Sequence, residues 1–175
     1  MDGKICTLRS SIDKTAYGVV QLLVKKGLKL STAESCTGGL ISAAITAVSG
    51  SSEIFDEGIC TYANSAKMKY LGVPEEILEK HGAVSEQTAL AMAKGMAKQS
   101  GSDIAVSVTG VAGPTGGTEE KPVGTVYVGL FVKGEATARL VYTNPLESDG
   151  KPREFIRLST VLAALEWIES ELFKI

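Results

Sequence analysis

Along the chain, stretches with apolar residues at every third or fourth position take turns with shorter stretches in which apolar residues run together. That pattern predicts helices and strands in succession. Over 11–26, Ile12, Ala16, Val19, Val20 and Leu23 share one helical face, lysines fill the last turn and Gly27 stops the helix. Residues 28–34 read as a short strand. A helix over 39–48 follows, with Ala43, Ala44 and Ala47 expected to pack closely on a sheet, and Gly50, Ser51 and Ser52 end it. A second strand is predicted over 55–62, and a short helix carrying Lys67 and Lys69 begins at Asn64 and Ser65. Pro74 starts another short helix, and Ser85 is placed to cap a longer one that buries Ala89, Met92, Ala93 and Met96.

The second half changes character. A strand over 103–108 runs into a loop over 110–124 that holds five glycines. Residues 123–132 and 136–143, split by Lys133, Gly134 and Glu135, predict an antiparallel hairpin. Pro152 suits the first turn of a final helix whose Leu158, Leu162, Leu165 and Leu172 mark its core stripe. Early strands separated by helices imply parallel pairing, so the expected fold is a single three-layer α/β/α domain over 1–175. Its sheet is mixed and mostly parallel, with a C-terminal antiparallel hairpin. In open sheets of that kind ligands bind outside the carboxyl ends of the strands. The residues after Glu34, Tyr62 and Val108 are thereby expected on one rim.

Composition narrows the function. A chain of 175 residues buries about two thirds of its unfolded surface in one core. A net charge of -2 and a pI near 5.5 argue against nucleic acid or an anionic membrane as partner. Three cysteines (Cys6, Cys36, Cys60) without paired spacing fit a reducing compartment. One histidine and no Cys-x-x-Cys leave no reason to expect a metal. With no signal-like apolar run and no stretch long enough to cross a bilayer, a soluble cytoplasmic protein is expected.

Polar chemistry gathers at three places. The first is Ser35, Cys36 and Thr37, between a strand and the glycine pair Gly38 and Gly39 that opens a helix. A nucleophile there would find unpaired N–H groups and a positive dipole end, although Ser35 or Thr37 could equally serve as a helix cap. Either Ser35 or Cys36 could attack, with the Cys36 thiol expected to point away if strand geometry persists. A serine hydroxyl needs a base. His81, in a turn expected to be exposed, is a poor candidate, which leaves lysine. The second place holds Tyr62, Asn64 and Lys67, and Lys67, just past the rim, is preferred over Lys69 and Lys121, because burial can lower an amine's pKa into the working range. The third place is the glycine loop, with Thr109, Thr115, Thr118 and Lys121, which matches neither a P-loop nor a dinucleotide fingerprint but whose amides could line a pocket. Past it, Arg153 and Arg157 stand four apart in the first turns of the last helix, where they could hold a phosphate or pair with Glu154 and Glu147.

Five motifs bring these places together. Thr-Ala-Glu-Ser-Cys-Thr-Gly-Gly (32–39), Gly-Ser-Ser (50–52), Thr-Tyr-Ala-Asn-x-Ala-Lys (61–67), His-Gly-Ala-Val-Ser (81–85) and Thr-Gly-x-Ala-Gly-Pro-x-Gly-Gly with Lys-Pro-Val-Gly-Thr (109–125) resemble the CinA C-terminal domain family of competence-damage-inducible proteins. Active members of that family are nicotinamide mononucleotide deamidases. The resemblance implies hydrolysis of the nicotinamide carboxamide to nicotinate mononucleotide and ammonia, with Ser35 as nucleophile, Lys67 as base and Tyr62 in support. It further implies substrate contacts from Glu34, Cys36, Thr37, Gly38 and Asn64, from Thr109, Gly110, Gly113, Pro114, Gly117 and Lys121 in the glycine segment, and from Arg153 and Arg157. No cofactor or metal is implied, the partner is the small-molecule substrate, and a homo-oligomer is expected. The molybdopterin-binding-like N-terminal domain of longer relatives is expected to be absent. One departure is Gly150-Lys-Pro-Arg153, where the family's phosphate-contact pattern reads Gly-Asp-Arg.

Overall fold

The computed structural model describes residues 3–175 and holds eleven regular helices and strands among them. They are α1 (Gly3–Lys26), β1 (Leu30–Glu34), α2 (Leu40–Thr46), β2 (Phe55–Cys60), α3 (Asn64–Leu71), α4 (Glu75–His81), α5 (Glu86–Ser100), β3 (Ile104–Gly110), β4 (Thr125–Val132), β5 (Glu135–Tyr142) and α6 (Pro152–Lys174). One sheet runs in the order β2-β1-β3-β4-β5. β1 pairs in parallel with β2 and β3, while β4 pairs antiparallel with β3 and β5, so the mixed sheet divides evenly between the two modes among the described residues.

Burial follows position in the sheet. β1 has neighbours on both edges and helices on both faces, and all five of its residues are buried. At the sheet edges, β2 alternates between half-buried and exposed positions. On one face α1, α2 and α6 enclose a core that includes Leu23, Ile41, Val106, Ile156 and Leu165. On the other, α3, α4 and α5 enclose a second core around Leu71, Met92 and Met96. The expected three layers are therefore present, with the two methionines as core filler.

The chain leaves β1 for β2 on one side, then returns past β1 to reach β3, with the intervening helices α3, α4 and α5 on the opposite face from α2. A reversal of this kind opens a crevice at the carboxyl ends of β1 and β3, the switch point of an open sheet. The turn after Glu34 and the loop after Gly110 both start there.

Three local expectations are corrected. α1 begins eight residues before the predicted start at Ser11, because Ile5 and Leu8 extend the buried stripe upstream of Ile12. α2 buries Ile41 and Ile45, while Ala43 and Ala47 are exposed: the isoleucines four apart take the inner face of a helix only seven residues long. His81 is the half-buried last residue of α4 rather than part of an exposed turn. The cap at Ser85 forms as expected, its Oγ accepting from the Thr88 amide at 3.2 Å.

The contact of α5 with the sheet is close enough to exclude a methyl group. A Cβ built on Gly129 in β4 would stand 2.4 Å from the Ala89 carbonyl oxygen of α5, which is backbone and cannot swing aside. Gly129→Ala should therefore destabilise the fold by about 1–3 kcal/mol, measured by denaturant unfolding. A variant as stable as the parent would mean that α5 sits further from the sheet.

Candidate active site

The turn after β1 is held from both ends. The Ser35 amide donates to the Val108 carbonyl of β3 at 3.0 Å, so it continues the β1–β3 pairing. Glu34, fully buried, turns its carboxylate onto the start of α2. Its Oε2 accepts from the amides of Gly39 (2.9 Å) and Ile41 (3.1 Å), and its Oε1 accepts from the amide (2.9 Å) and hydroxyl (2.8 Å) of Ser42. The first N–H groups of a helix have no partner within the helix, and an anion there also meets the positive dipole end. Between these anchors the chain reverses through Gly38 (φ 62°) and Gly39 (φ 94°), a conformation that side chains disfavour.

Lys67 of α3 enters this turn from the far side. The residue is only 1% exposed, and its Nζ lies 3.2 Å from Ser35 Oγ while it donates to the carbonyl oxygens of Thr61 (2.8 Å) and Tyr62 (3.4 Å). Burial lowers its pKa, and no carboxylate offsets that effect. A neutral amine has two hydrogens and one lone pair. With both hydrogens taken by carbonyls, the lone pair is left for the serine hydroxyl. Cys36, next to Ser35, is also buried, and burial above all, with a contribution from the Glu34 charge, pushes its thiol up to about 12. A thiol with that pKa carries almost no thiolate at neutral pH.

These groups border a cleft of about 300 Å³ that is also lined by Tyr62, Thr109, Gly110, Gly113 and Arg153. The glycine segment forms its far wall. Thr109 Oγ1 donates to the Ala83 carbonyl at 2.6 Å and so ties β3 to the segment before α5. Arg153 spans the mouth, donating from Nη1 to the Gly113 carbonyl (2.7 Å) and from Nη2 to the Tyr62 hydroxyl (3.0 Å). Beyond it lies a second hollow of about 620 Å³, lined by Arg9, Lys151, Arg153, Arg157, Leu40 and Pro114, among others.

The sequence-predicted residues separate into groups. Ser35, Cys36, Tyr62, Lys67, Thr109, Gly110, Gly113 and Arg153 meet at the cleft. Pro114 and Arg157 line the neighbouring hollow. Glu34 is fully engaged in capping α2, and Gly38 and Gly39 shape the turn. Thr37 is buried with its hydroxyl unpartnered, as is Thr61. Asn64 borders a different depression with Met68 and Glu75, and exposed Gly117 is not among the cleft residues. Lys121 donates to the His81 carbonyl at 2.9 Å, so it moors the glycine loop to α4 instead of entering the cleft. Neither Arg153 nor Arg157 pairs with Glu154 or Glu147; Glu154 binds Arg9 at 2.8 Å. Ala83, Val84, Val111 and Ala112 also line the cleft, and the Thr61 carbonyl holds Lys67. Small apolar residues and a backbone oxygen leave no chemical signal in a sequence.

The fold and site define a class: a three-layer α/β/α domain with a serine–lysine pair buried at the switch point of its sheet. Residues 12–172 match the model of the CinA C-terminal domain, and the chain belongs to that family. A CinA-like protein of Kosmotoga olearia is 50% identical over 174 residues, which are 94% of this chain and 41% of that protein. A putative competence-damage inducible protein of Clostridium novyi is 49% identical over 88% of this chain and 36% of its own length. The chain thus spans well under half of these relatives. Among solved structures, the competence/damage inducible protein CihA from Agrobacterium tumefaciens superposes with a TM-score of 0.86 at 44% identity, covering 93% of this chain and 96% of that one. A CinA superfamily protein from Klebsiella pneumoniae gives 0.87 at 31% identity, over 94% and 99%. Among the described residues no helix is long and apolar enough to cross a membrane.

Glu34 accepts four hydrogen bonds that an amide cannot fully replace, since a glutamine presents N–H hydrogens where one carboxylate oxygen accepts. Glu34→Gln should cost about 1–3 kcal/mol in denaturant unfolding. An unchanged midpoint would mean that α2 starts without this carboxylate.

Proposed function

We propose that the chain hydrolyses the carboxamide of nicotinamide mononucleotide to nicotinate mononucleotide and ammonia through a serine ester. The observation that carries this reading is the buried Lys67 amine, 3.2 Å from Ser35 Oγ, with two carbonyls taking its hydrogens and no carboxylate paired with it among the described residues. Membership of the CinA C-terminal domain family supports it. Lys67 accepts the Ser35 proton as Oγ attacks the carboxamide carbon, then gives that proton to the departing nitrogen, which leaves as ammonia. A water molecule, deprotonated by the same amine, attacks the ester, and Ser35 recovers its proton as the carboxylate product forms.

The surroundings suit this chemistry. The Thr37 amide donates to no backbone acceptor among the described residues, which suits it to the negative oxygen that forms during attack. A cleft of about 300 Å³ suits a pyridine and its ribose, and Arg153 at its mouth offers a guanidinium to the phosphate. A thiol mechanism through Cys36 is disfavoured by a pKa pushed up to about 12.

Ammonia release from nicotinamide mononucleotide tests the assignment. Ser35→Ala should lose activity on the order of a thousandfold or more, while Cys36→Ala keeps most of it. The opposite ranking would transfer the nucleophile to the thiol, and binding without turnover in the parent protein would leave a ligand-binding module.

Lys67 must be neutral to act. Burial lowers its pKa below 10.5, so the neutral, active form gains population at lower pH than in a free lysine. Activity should climb with pH through one apparent pKa of the serine–lysine pair and then level off. Lys67→Arg keeps the charge but cannot shed its proton, and it should be nearly inactive across the same range. Substantial turnover by Lys67→Arg, or a profile that falls with rising pH, would remove Lys67 as the base.

A further inference from the structure

We propose that Arg157 is a positioning residue for the nucleophile: from α6 its guanidinium grips the turn that aims Ser35 at Lys67. The inference rests on the hydrolytic reading above. Arg157 Nε donates to the Cys36 carbonyl at 3.1 Å, and Nη2 donates to the Thr37 carbonyl at 2.7 Å. These are the two carbonyls that follow the nucleophile. They belong to residues 121 and 120 positions away in the chain, so the contact is purely tertiary.

The grip has a direct geometric consequence. In a trans peptide the C=O and the next N–H point in opposite directions. Drawing the Cys36 carbonyl toward Arg157 therefore turns the Thr37 amide away from it. Holding the Thr37 carbonyl does the same for the amide of Gly38, which donates back to the Ser35 carbonyl at 3.1 Å. Two consecutive peptide planes, and through Gly38 the carbonyl of Ser35 itself, are oriented by one side chain.

Glycine at position 38 belongs to the same arrangement. A Cβ there would stand 3.3 Å from Arg157 Nη2, closer than most side-chain contacts, on a backbone already at φ 62°. The turn is thus fitted around the guanidinium. The planar fork of arginine reaches two adjacent carbonyls at once, whereas lysine offers a single point charge. Glu34 holds the far end of the same turn by the Gly39 amide. A carboxylate on its N–H side and a guanidinium on its C=O side leave the segment between them little freedom.

A phosphate ligand and a positioning residue leave different kinetic marks. Arg157→Ala should lower kcat by about tenfold to a hundredfold, the cost of a displacement near 1 Å at a reacting group. The loss should be equal on nicotinamide mononucleotide and on its phosphate-free riboside, with KM nearly unchanged for both. Arg157→Lys should keep part of the rate, and added guanidinium ion should restore part of it to Arg157→Ala. Hydrogen exchange supplies a measure that needs no turnover: in Arg157→Ala the bonded amides of Gly38 and Gly39 should exchange faster while those of β1 and β3 keep their protection. A loss confined to the mononucleotide and expressed in KM would make Arg157 a phosphate ligand and overturn the proposal, as would unchanged exchange at Gly38 and Gly39. A parent protein with no amidase activity would refute the hydrolytic reading alone, because the exchange measurement still decides whether Arg157 holds the turn.

Discussion

A lysine amine almost wholly buried at the edge of the cleft, without a carboxylate bound to it, is the constraint around which this domain is arranged. Burial disfavours the charged form there, so the environment of Lys67 shifts it toward the form that can take a proton. Two backbone carbonyls, from Thr61 and Tyr62, satisfy the amine without supplying a negative charge. A carboxylate at either position would hold the proton in place. The site depends on hydrogen-bond acceptors that are dipoles rather than ions.

The same logic extends outward from the pair. Ser35 sits on a turn held at several backbone groups: its own amide with β3, the Gly39 amide with Glu34, and the Cys36 and Thr37 carbonyls with Arg157. The buried Glu34 charge is balanced by helix amides, and burial together with that charge keeps the Cys36 thiol protonated. Two potential nucleophiles, adjacent in the chain, are thereby given opposite characters by their surroundings. Burial that would silence a thiol acts in favour of a lysine base.

Cations placed far apart in the sequence organise the rim. Arg153 joins Tyr62 to the glycine loop, Lys121 joins that loop to the end of α4, and Arg9 joins α1 to α6 through Glu154. The loop of 110–124 is largely exposed, yet it is tied at both flanks by these contacts. Arg153 borders both the reaction cleft and the larger cationic hollow, so a ligand that extends from one to the other must pass it. Its partners, a carbonyl and a phenol, are neutral and can be exchanged for an anion.

The sequence by itself determined the elements and the rim. Apolar spacing marked most helices and strands, though not the first eight residues of α1 or the buried face of α2; Gly27 and Ser85 marked helix ends, and the alternation of helices with strands implied the layers and hence which loops share an edge. It also brought Ser35, Lys67 and the glycine segment into view, because those residue types at those motif positions are chemically conspicuous. What it could not decide was direction. Glu34, Lys121 and Arg157 read equally well as substrate ligands, and only the folded chain turns the first onto α2, the second onto the carbonyl of His81 and the third onto Cys36 and Thr37. Asn64 lies three residues before Lys67 yet borders a different depression. Short-range periodicity marks which stretches form elements, whereas the partner of a long polar side chain depends on how the folded elements meet, 5 to 8 residues away for Glu34, 40 for Lys121 and 120 or 121 for Arg157. For that reason the elements were legible in the sequence, while the bonds that hold the site were decided by the tertiary structure.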